Sequence, residues 1–557
     1  MGLALAALWL SVACAGAPRW AGVVSSLVKV RPGVIPELRG VARLSLARGE
    51  CQGFQVVAAP PAAGVNAKLY GLESLAVRVY REAYLDVREP SGVEGARGPW
   101  PDPLVPVTDA YEGEARAALP FDSTEARPLV LYVEVCADAR RAPGSAAGSL
   151  ALSAADRPPV KVPIEVRVLR FALPATSSFP TSFGLSLYSV ARGHRLDSSS
   201  AEARRLLRDY ATALLAHRLS AYGMGMDAPP VRFEAGNARV DFTDYDAELG
   251  PFLDGTALPS GARFTTTDAR DTRAAVTDSE KVLYLRAVRA HHEQRGWLAR
   301  LFFYAKDEPR PADFPLVLKQ SARARAAGAI AALVTSSPDE ALGSAADILC
   351  PNMTCFFPRA GAQTCRRVMT ADELRRALPG TALWWYQSCT SHGCGPVPPA
   401  EEAWRRATSG WASYLVDVPA PRNRAMGPLA FLAGVEGELY FDTVHAYGSR
   451  DAWEDVFEFG GNGDGTLFYP GTPARVGGRT HVPIESLRLK HIRDGLTDYE
   501  YLHLADALGA RPFAQAMARR LAKSGYEVTL DAAEWEAVRG ALADRLEALW
   551  QPTKPGR

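Results

Sequence analysis

One stretch decides the fold: Leu298-Ala299-Arg300-Leu301-Phe302-Phe303-Tyr304-Ala305-Lys306-Asp307-Glu308-Pro309. An apolar, aromatic run of strand length ends in two adjacent carboxylates, and a proline then stops the strand. Buried strands of α/β proteins form such continuous apolar runs, and barrel enzymes place their reacting groups at the carboxyl ends of those strands. We therefore predict that Asp307 and Glu308 are the catalytic residues of a barrel enzyme.

The two carboxylates are neighbours in the chain, which limits the chemistry that they can share. Adjacent residues on a regular strand point to opposite faces, but where a strand runs into a loop both can line one pocket. This arrangement suits a glycosidase whose sugar supplies its own nucleophile. One carboxylate then polarises a 2-acetamido group, while the other protonates the leaving oxygen and activates water. The alternative is an acidic pair that caps the following helix or faces solvent.

Length and charge narrow the class of protein. At 557 residues the chain exceeds the usual size of one domain, so two or three domains are expected. The 63 Lys and Arg residues balance 62 Asp and Glu residues, which gives no electrostatic case for a nucleic-acid partner. Hydrophobic residues make up 47% of the chain, as in an ordinary globular protein with a sizeable core.

The amino-terminal residues 1–17 have the apolar core and small residues of a secretory signal peptide. The segment Ser11-Val12-Ala13-Cys14 faintly resembles a lipoprotein acylation site. The run is too short for an ordinary transmembrane helix, and no other segment approaches that length without charges. We therefore predict an exported protein, either soluble or lipid-tethered, with no transmembrane segment.

Eight cysteines are present, and an oxidising compartment favours disulfides between them. The spacings Cys350 to Cys355 and Cys389 to Cys394 suggest local staples near the predicted site. Zinc is the rival interpretation, but no C-x-x-C pair and no nearby histidine pair supports it. We expect disulfides of undetermined connectivity and no metal site.

Two composition patterns divide the rest of the chain. Residues 18–174 show short runs with period-two alternation between Pro and Gly breaks, which predicts an antiparallel β-sandwich. Residues 175–557 alternate strand-like and helix-like segments, which predicts a (β/α)8 barrel with a helical segment from Pro483 onwards. A doubly wound sheet is the alternative fold for this second part. The predicted strands are 182–188, 298–306, 330–334, 347–350, 382–386, 411–416 and 437–442, and the main predicted helices are 201–217, 279–295, 312–327, 374–378, 400–408 and 425–433.

Aromatic and acidic residues recur where the predicted strands end. Aromatic rings stack on the apolar faces of pyranoses, and carboxylates bind hydroxyl groups, so the mixture favours a sugar pocket. For each residue alone, an ordinary core aromatic or a capping acid is the simpler interpretation. The residues are Trp384, Trp385, Tyr386, Asp417, Tyr440, Asp442 and, in a later tight turn, Asp464.

A series of motifs resembles, in order, proteins that carry the domain of unknown function 4091. That domain is similar to the catalytic domain of glycoside hydrolase family 123. The motifs are Ala47-Arg48-Gly49-Glu50, Phe54-Gln55-Val56-Val57, Trp100-Pro101-Asp102-Pro103-Leu104, Asp307-Glu308-Pro309, Trp384-Trp385-Tyr386, Asn423-Arg424, Gly437-Glu438-Leu439-Tyr440, Asn462-Gly463-Asp464-Gly465 and Leu487 to Leu502.

The resemblance implies a β-sandwich followed by a (β/α)8 barrel and a retaining β-N-acetylgalactosaminidase mechanism through an oxazoline. Asp307 would orient the acetamido group, Glu308 would be the general acid/base, and Tyr386 would bind the acetamido oxygen. No cofactor is implied, and the partner is a carbohydrate or glycoconjugate. The expected substrate-binding residues are Tyr304, Trp384, Trp385, Tyr386, Asn423, Arg424, Tyr440, Asp442 and Asp464.

Two other functions stay open from the residues. A glycosidase acting on a sugar without the acetamido group needs a separate carboxylate nucleophile, for which Asp417, Glu438 and Asp442 are candidates. A surface protein that binds glycans without cleaving them would use the same aromatic pocket.

Overall fold

The computed structural model describes residues 20–224, 228–343, 345–359, 365, 367–388 and 407–550, without the side chain of residue 340. The predicted signal peptide and the cysteines at 14, 389 and 394 lie outside the described residues, as does most of a helix predicted over 400–408.

Ten strands build the amino-terminal domain as two five-stranded sheets, ordered β1-β3-β8-β5-β6 and β2-β10-β9-β4-β7. The strands are β1 Ala21–Ser25, β2 Ala42–Arg48, β3 Cys51–Ala58, β4 Ala62–Gly71, β5 Ala76–Val87, β6 Gly98–Pro106, β7 Phe121–Ser123, β8 Leu129–Cys136, β9 Gly144–Ala154 and β10 Arg157–Ala172.

The two sheets share one apolar core because alternate residues of their strands point inward. On β10, Val162, Ile164 and Val166 are buried while the residues between them are exposed. They belong to the same buried cluster as Phe54 of β3 and Leu131 of β8 in the other sheet. One pairing differs from the predicted antiparallel pattern: β2 and β10 are parallel, since the chain leaves β2 for the other sheet and returns beside it only at β10.

Eight parallel strands form the barrel of the second domain, and their order around the sheet follows the chain. A doubly wound sheet would reverse that order, so the alternative fold is wrong. Within the described residues, neighbouring strands are hydrogen-bonded everywhere except between β12 and β15. The strands are β11 Thr181–Gly184, β12 Ala221–Tyr222, β15 Thr267–Asp268, β16 Leu301–Lys306, β17 Ala331–Val334, β18 Ile348–Leu349, β19 Ala382–Tyr386 and β20 Gly437–Tyr440, with a separate hairpin of β13 Val231–Glu234 and β14 Asn237–Val240.

Helices lie between the barrel strands and follow them. Their starts carry the expected caps; Thr277, for example, forms a reciprocal capping box with Glu280. The helices are α1 Leu187–His194, α2 Ala201–Ala216, α3 Thr243–Asp254, α4 Asp278–Gln294, α5 Phe314–Ala326, α6 Ala371–Ala377, α7 Ala420–Arg424, α8 Met426–Ala433, α9 Pro473–Val476, α10 Leu487–Ala507, α11 Arg511–Leu521 and α12 Ala532–Leu549.

Short 3₁₀ turns and small hairpins complete the described elements. The 3₁₀ turns are Leu298–Arg300, Pro311–Asp313, Glu340–Leu342, Met353–Phe356 and His445–Gly448, and the hairpins pair β21 Phe457–Glu458 with β22 Gly461–Asn462, β23 Phe468–Gly471 with β24 Val482–Glu485, and β25 Ala522–Ser524 with β26 Glu527–Val528.

Three predicted elements differ from the structure. Residues 182–188 divide between β11 and helix α1, because Ser186 caps the helix by accepting from Ser189 N–H. The carboxyl-terminal region begins with strand β24 rather than helix. The predicted strand 411–416 is irregular. Side chains, and not the backbone of a neighbouring strand, donate to its carbonyls. Asn423 Nδ2 donates to Ser413 O at 2.7 Å, and Arg488 Nη1 donates to Tyr414 O at 2.7 Å.

Buried ion pairs join α10 to the amino-terminal domain. Arg488, with no exposed side-chain surface, contacts Asp102 of β6 at 2.8 Å. Lys490 contacts Glu134 of β8 at 2.9 Å, and Arg493 pairs with the same carboxylate. Burial opposes ionisation of Glu134, but Lys490 and Arg493 together hold its pKa well below the usual range. These contacts hold the barrel against the two sheets.

Candidate active site

A cavity of about 920 Å³ opens where the barrel strands end at their carboxyl termini. Its described wall contains Tyr222 at the end of β12, Thr335 after β17, Asn352 after β18 and Phe441 after β20, together with Asp307 and Glu308 after β16. This is the end at which barrel enzymes place their reacting groups.

Asp307 is held by two hydroxyl groups. Tyr304, near the carboxyl end of β16, donates to Asp307 Oδ1 at 2.8 Å. Thr335 donates to the same oxygen at 2.9 Å. Burial, with the neighbouring Asp307 carboxylate, raises the pKa of Tyr304 well above its usual range, so the phenol remains a donor. The carboxylate is fixed in direction while its side chain stays exposed to the cavity.

Glu308 follows Asp307 with an unusual backbone conformation. Its φ is +37°, outside the region that a side chain of this size ordinarily adopts. Its N–H donates to Thr335 Oγ1 at 2.9 Å, which ties the turned backbone to the next strand. Tyr386 donates to Glu308 Oε1 at 2.5 Å. The turn breaks the strand alternation, so that both neighbouring carboxylates line one cavity.

An apolar layer fills the barrel interior beneath these groups. Phe302, Leu333 and Leu439 belong to it, and Tyr304 and Tyr386 pack against it. Trp384 lies in this layer, with its ring centroid 6.1 Å from that of Phe302. It therefore supports the floor and does not line the cavity.

Two predicted binding aromatics face away from the cavity because they alternate with inward-facing neighbours. Trp385 has no exposed surface and packs 6.1 Å from Phe356 on the outer side of β19. Tyr440, also fully buried, accepts from Gly465 N–H at 2.7 Å and contacts Asp464 at 3.3 Å. The strand period of two separates each of them from the site.

Asn423 and Arg424 have structural contacts in α7. Asn423 is fully buried and binds the irregular segment 411–416 through the carbonyls of Ser413 and Leu415. Arg424 makes two hydrogen bonds to Asp498 of α10, at 2.6 and 2.8 Å. Neither residue is in the cavity wall.

Asp442 and Asp464 lie behind the cavity wall. Asp442 Oδ1 accepts from the amides of Thr443 and Val444, and the Asp442 carboxylate, 3.8 Å from His445 Nδ1, raises the pKa of His445. Asp464 accepts from Ser388, a wall residue, at 2.9 Å. Both acids orient neighbours of the cavity.

The alternative nucleophiles Asp417 and Glu438 are buried elsewhere. Asp417 accepts from the amide of Ser91 at 2.7 Å and from its hydroxyl, which ties it to the amino-terminal domain. Glu438 accepts from Tyr414 at 2.7 Å, and burial raises its pKa to about 8. Neither carboxylate lines the cavity.

Several wall residues were missed by sequence reasoning. Thr335 and Asn352 follow strands that the sequence did predict, so the strand-end rule applied to Asp307 would have found them. Tyr222 is the second residue of the two-residue strand β12, which is too short to give a periodicity signal. The further wall residues are Pro309, Arg310, Ser336, Ser337, Cys355, Cys365, Ser388, Leu439, Phe441 and Phe459.

The disulfides differ in detail from the predicted staples. Cys355 pairs with Cys365 in the cavity wall, and Cys350 is a buried free thiol in the barrel interior. Cys51 and Cys136 join directly opposed positions of β3 and β8. In the described part of the chain, no group of acidic, histidine and cysteine side chains could hold a metal ion, and no helix is long and apolar enough to cross a membrane.

Comparisons with known proteins show the fold. No protein-family model and no curated protein matches the chain. Among solved structures, a family 123 glycoside hydrolase from Clostridium perfringens, studied for glycolipid glycan hydrolysis, superposes with a TM-score of 0.64 over 95% of this chain and 97% of that chain, at 11% identity. At this identity the likeness establishes a shared architecture of β-sheet domain and barrel.

Other glycoside hydrolase structures match more weakly. A Bacteroides ovatus GH5 xyloglucanase gives a TM-score of 0.29 at 10% identity, covering 82% of this chain and 98% of that one. A family 39 enzyme from Bacteroides cellulosilyticus gives 0.33 at 9% identity, covering 83% and 82%.

Proposed function

We propose that the protein is a glycoside hydrolase that removes a terminal β-linked 2-acetamido sugar, such as N-acetylgalactosamine, with retention of configuration. The observation that carries the proposal is the pair Asp307 and Glu308 in one cavity at the carboxyl end of the barrel. Apart from Asp307 and Glu308, no carboxylate is among the described wall residues to act as a separate nucleophile, which favours participation of the substrate's own acetamido group.

Asp307 has the contacts of an orienting carboxylate. With Oδ1 fixed by Tyr304 and Thr335, the Asp307 side chain accepts from the acetamido N–H of the substrate. That contact directs the acetamido oxygen towards the anomeric carbon. It also stabilises the positive charge that develops as the oxygen–carbon bond forms and the glycosidic bond breaks, giving an oxazolinium.

Glu308 has the contacts of the general acid/base. Tyr386 fixes Oε1, while Oε2 has no hydrogen-bond partner among the described residues. In the first step Glu308 gives its proton to the leaving oxygen. In the second it takes a proton from water, whose oxygen attacks the anomeric carbon and reopens the oxazoline. Tyr386, expected from the resemblance to bind the acetamido oxygen, is assigned here to holding Glu308.

The rest of the wall suits a sugar. Tyr222, Phe441 and Phe459 supply aromatic surface, and two buried donors lack a partner within the described residues: Ser336 Oγ and Asn352 Nδ2. Buried donors in native proteins are ordinarily paired, so these two are available to sugar hydroxyl groups. The shared fold with the family 123 enzyme from Clostridium perfringens is consistent with this assignment.

The proposal is tested with purified protein on 4-nitrophenyl glycosides. We expect release from the β-linked 2-acetamido sugars, none from β-galactose or β-glucose, and competitive inhibition by a thiazoline analogue of the oxazoline. Release from sugars without the acetamido group, unaffected by the thiazoline, would replace the proposal with a glycosidase that has its own nucleophile. Saturable glycan binding with no release from any glycoside would indicate a binding protein.

We also propose that the protein is exported. The disulfides Cys51–Cys136 and Cys355–Cys365 are stable in an oxidising compartment and rare in a reducing one. Fractionation of cells, followed by thiol labelling of the protein, tests this location. Recovery in the cytosol with reduced cysteines would overturn it.

A further inference from the structure

The cavity contains one basic side chain among its described wall residues, Arg310, two positions after Glu308. Its side chain is exposed, and no described carboxylate lies within ion-pair distance of its guanidinium. Other arginines at the same end of the barrel are paired; Arg270, for example, contacts Asp268 at 3.3 Å. Arg310 therefore presents a guanidinium to the cavity without a described anionic partner.

The backbone around Arg310 is restricted, so its attachment point in the wall is a fixed feature. Pro309 and Pro311 flank it, and each proline restricts its own φ and the conformation of the residue before it. The N–H of Arg310 donates to Asp313 Oδ2 at 2.9 Å. The guanidinium then approaches a ligand with little loss of backbone freedom, which strengthens a charged hydrogen bond.

The chemistry of a free guanidinium selects its ligand. Its planar fork of donors matches the oxygens of a carboxylate or a sulfate ester. A guanidinium binds a neutral sugar hydroxyl much more weakly than it binds an anion. Asp307 and Glu308 are in the same cavity as this guanidinium. Their described side-chain partners are the hydroxyls of Tyr304, Thr335 and Tyr386, and not the guanidinium. The cavity thus separates an acidic reacting pair from a basic recognition group.

We infer that the substrate is an acidic glycan, in which Arg310 binds an anionic group close to the bond that is cleaved. The anion is either a sulfate ester on the 2-acetamido sugar or the carboxylate of a neighbouring uronic acid, both of which fit the same guanidinium. This inference rests on the proposed function, because it names the substrate class of that same cavity. Ser336 and Asn352 supply neutral donors in the same wall.

Two substrate series distinguish the sources of the anion. The first compares the 4-nitrophenyl 2-acetamido-β-galactoside with its 4-sulfate and 6-sulfate. The second compares disaccharides in which the neutral acetamido sugar is linked to glucuronate or to glucose. The proteins are the wild type, Arg310→Ala, Arg310→Gln, Arg310→Lys and, as a matched control on the exposed β13–β14 hairpin, Arg232→Ala.

In the wild type we expect kcat/KM to be at least about tenfold higher for one anionic member of a series than for its neutral counterpart, the gain typical of a charged hydrogen bond. Arg310→Ala and Arg310→Gln bring that ratio towards one, Arg310→Lys retains part of it, and Arg232→Ala keeps it whole. Equal rates on anionic and neutral substrates in the wild type, or an unchanged ratio in Arg310→Ala, would overturn the inference.

Binding of the free sugars, measured by calorimetry, separates this inference from the proposed function. Turnover of acetamido glycosides without any preference for an anion refutes the role of Arg310 and leaves the proposed function intact. Arg310-dependent binding of the acidic sugar, with no turnover of any glycoside, supports an anion subsite and refutes the glycosidase. If the protein shows neither turnover of acetamido glycosides nor Arg310-dependent binding, both the proposed function and the anion subsite are refuted.

Discussion

Two regions of the molecule contain carboxylates in opposite surroundings. At the junction of α10 with the amino-terminal domain, Asp102 and Glu134 have at most 1% exposed side-chain surface and contact the cations Arg488 and Lys490. In the cavity, Asp307 and Glu308 are exposed and contact hydroxyl groups only, among the described residues.

The difference separates stability from chemistry. A buried carboxylate matched by a cation stabilises the fold only as a pair, since either partner alone would be an uncompensated charge. A carboxyl group that is fixed by neutral donors and faces a cavity keeps one oxygen free for a ligand. Substitutions should therefore affect activity in one region and unfolding in the other.

Glu308→Gln should have the largest effect. It removes the transferable proton but keeps the acceptor for Tyr386, so we expect kcat/KM on substrates with poor leaving groups to fall by about 10³-fold or more. The free energy of unfolding should change by less than ~0.5 kcal/mol, because the side chain is exposed.

The matched control for this variant is Glu436→Gln, an exposed acid that precedes β20 at the opposite end of that strand. It should leave both activity and stability unchanged. If Glu308→Gln kept full activity on those substrates, the assignment of the general acid/base would be wrong.

Arg488→Met should have the largest effect on stability. It leaves Asp102 buried without its cation and also removes donors to the carbonyls of Tyr414, Gly463 and Thr466. We expect a loss of about 3–5 kcal/mol in the free energy of unfolding, measured with urea. The double variant Asp102→Leu/Arg488→Met should recover part of that loss, and a single variant as stable as the wild type would contradict the structural role of the pair.

Glu438→Gln tests a buried acid that has no cation. With a folded pKa of about 8 against an unfolded value near 4.5, the folded state holds a proton that the unfolded state releases. Stability of the wild type should therefore fall as pH rises from about 4.5 to 8. At pH 8 we expect Glu438→Gln to be more stable by roughly 2 kcal/mol, with little difference at pH 4.

Activity of the same variant separates the two candidate mechanisms. Full activity of Glu438→Gln agrees with a buried structural acid. Loss of turnover with unchanged stability would point to Glu438 as a nucleophile.

Thr335→Val should have the smallest effect. The hydroxyl donates to Asp307 and accepts from the backbone of Glu308, so its loss frees both carboxylates to move. We expect kcat/KM to fall about tenfold, which equals the ~1.4 kcal/mol of one hydrogen bond. Thr335→Ser, which keeps the hydroxyl, should restore most of the rate. An equal loss in both variants would indicate that the methyl group, not the hydrogen bonds, matters.

The sequence predicts the elements whose signals are local. The strand that ends at Asp307, the aromatic strand 382–386 and the helix over 201–217 all appear within a few residues of their predicted bounds, because apolar periodicity and caps act over a few positions. Two-residue strands such as β12 give no such signal. The apolar run 411–416 has the pattern of a strand, but side chains from other elements bind its carbonyls.

The candidate site residues also divide into those that the local sequence predicts and those that it does not. Asp307 and Glu308 follow from their position at a strand end, and the structure places them in one cavity. Arg424 carried the same polar character in sequence, yet its partner Asp498 is 74 positions away and fixes it outside the site. Trp385 differs from its neighbours only by the direction in which its side chain points from β19. The positions of these two side chains depend on a distant partner or on the face of the strand to which the side chain points. Local sequence does not predict either.

We propose that the exposed pair in the cavity acts through the acetamido group of the substrate. The most direct test is kcat/KM for 4-nitrophenyl glycosides with N-acetyl, N-fluoroacetyl, N-difluoroacetyl and N-trifluoroacetyl groups, in the wild type and in Asp307→Asn. We predict a steep fall in the wild type as fluorine weakens the acyl oxygen as a nucleophile, and a low rate with every member in Asp307→Asn. Equal rates across the series, unchanged by Asp307→Asn, would contradict the account.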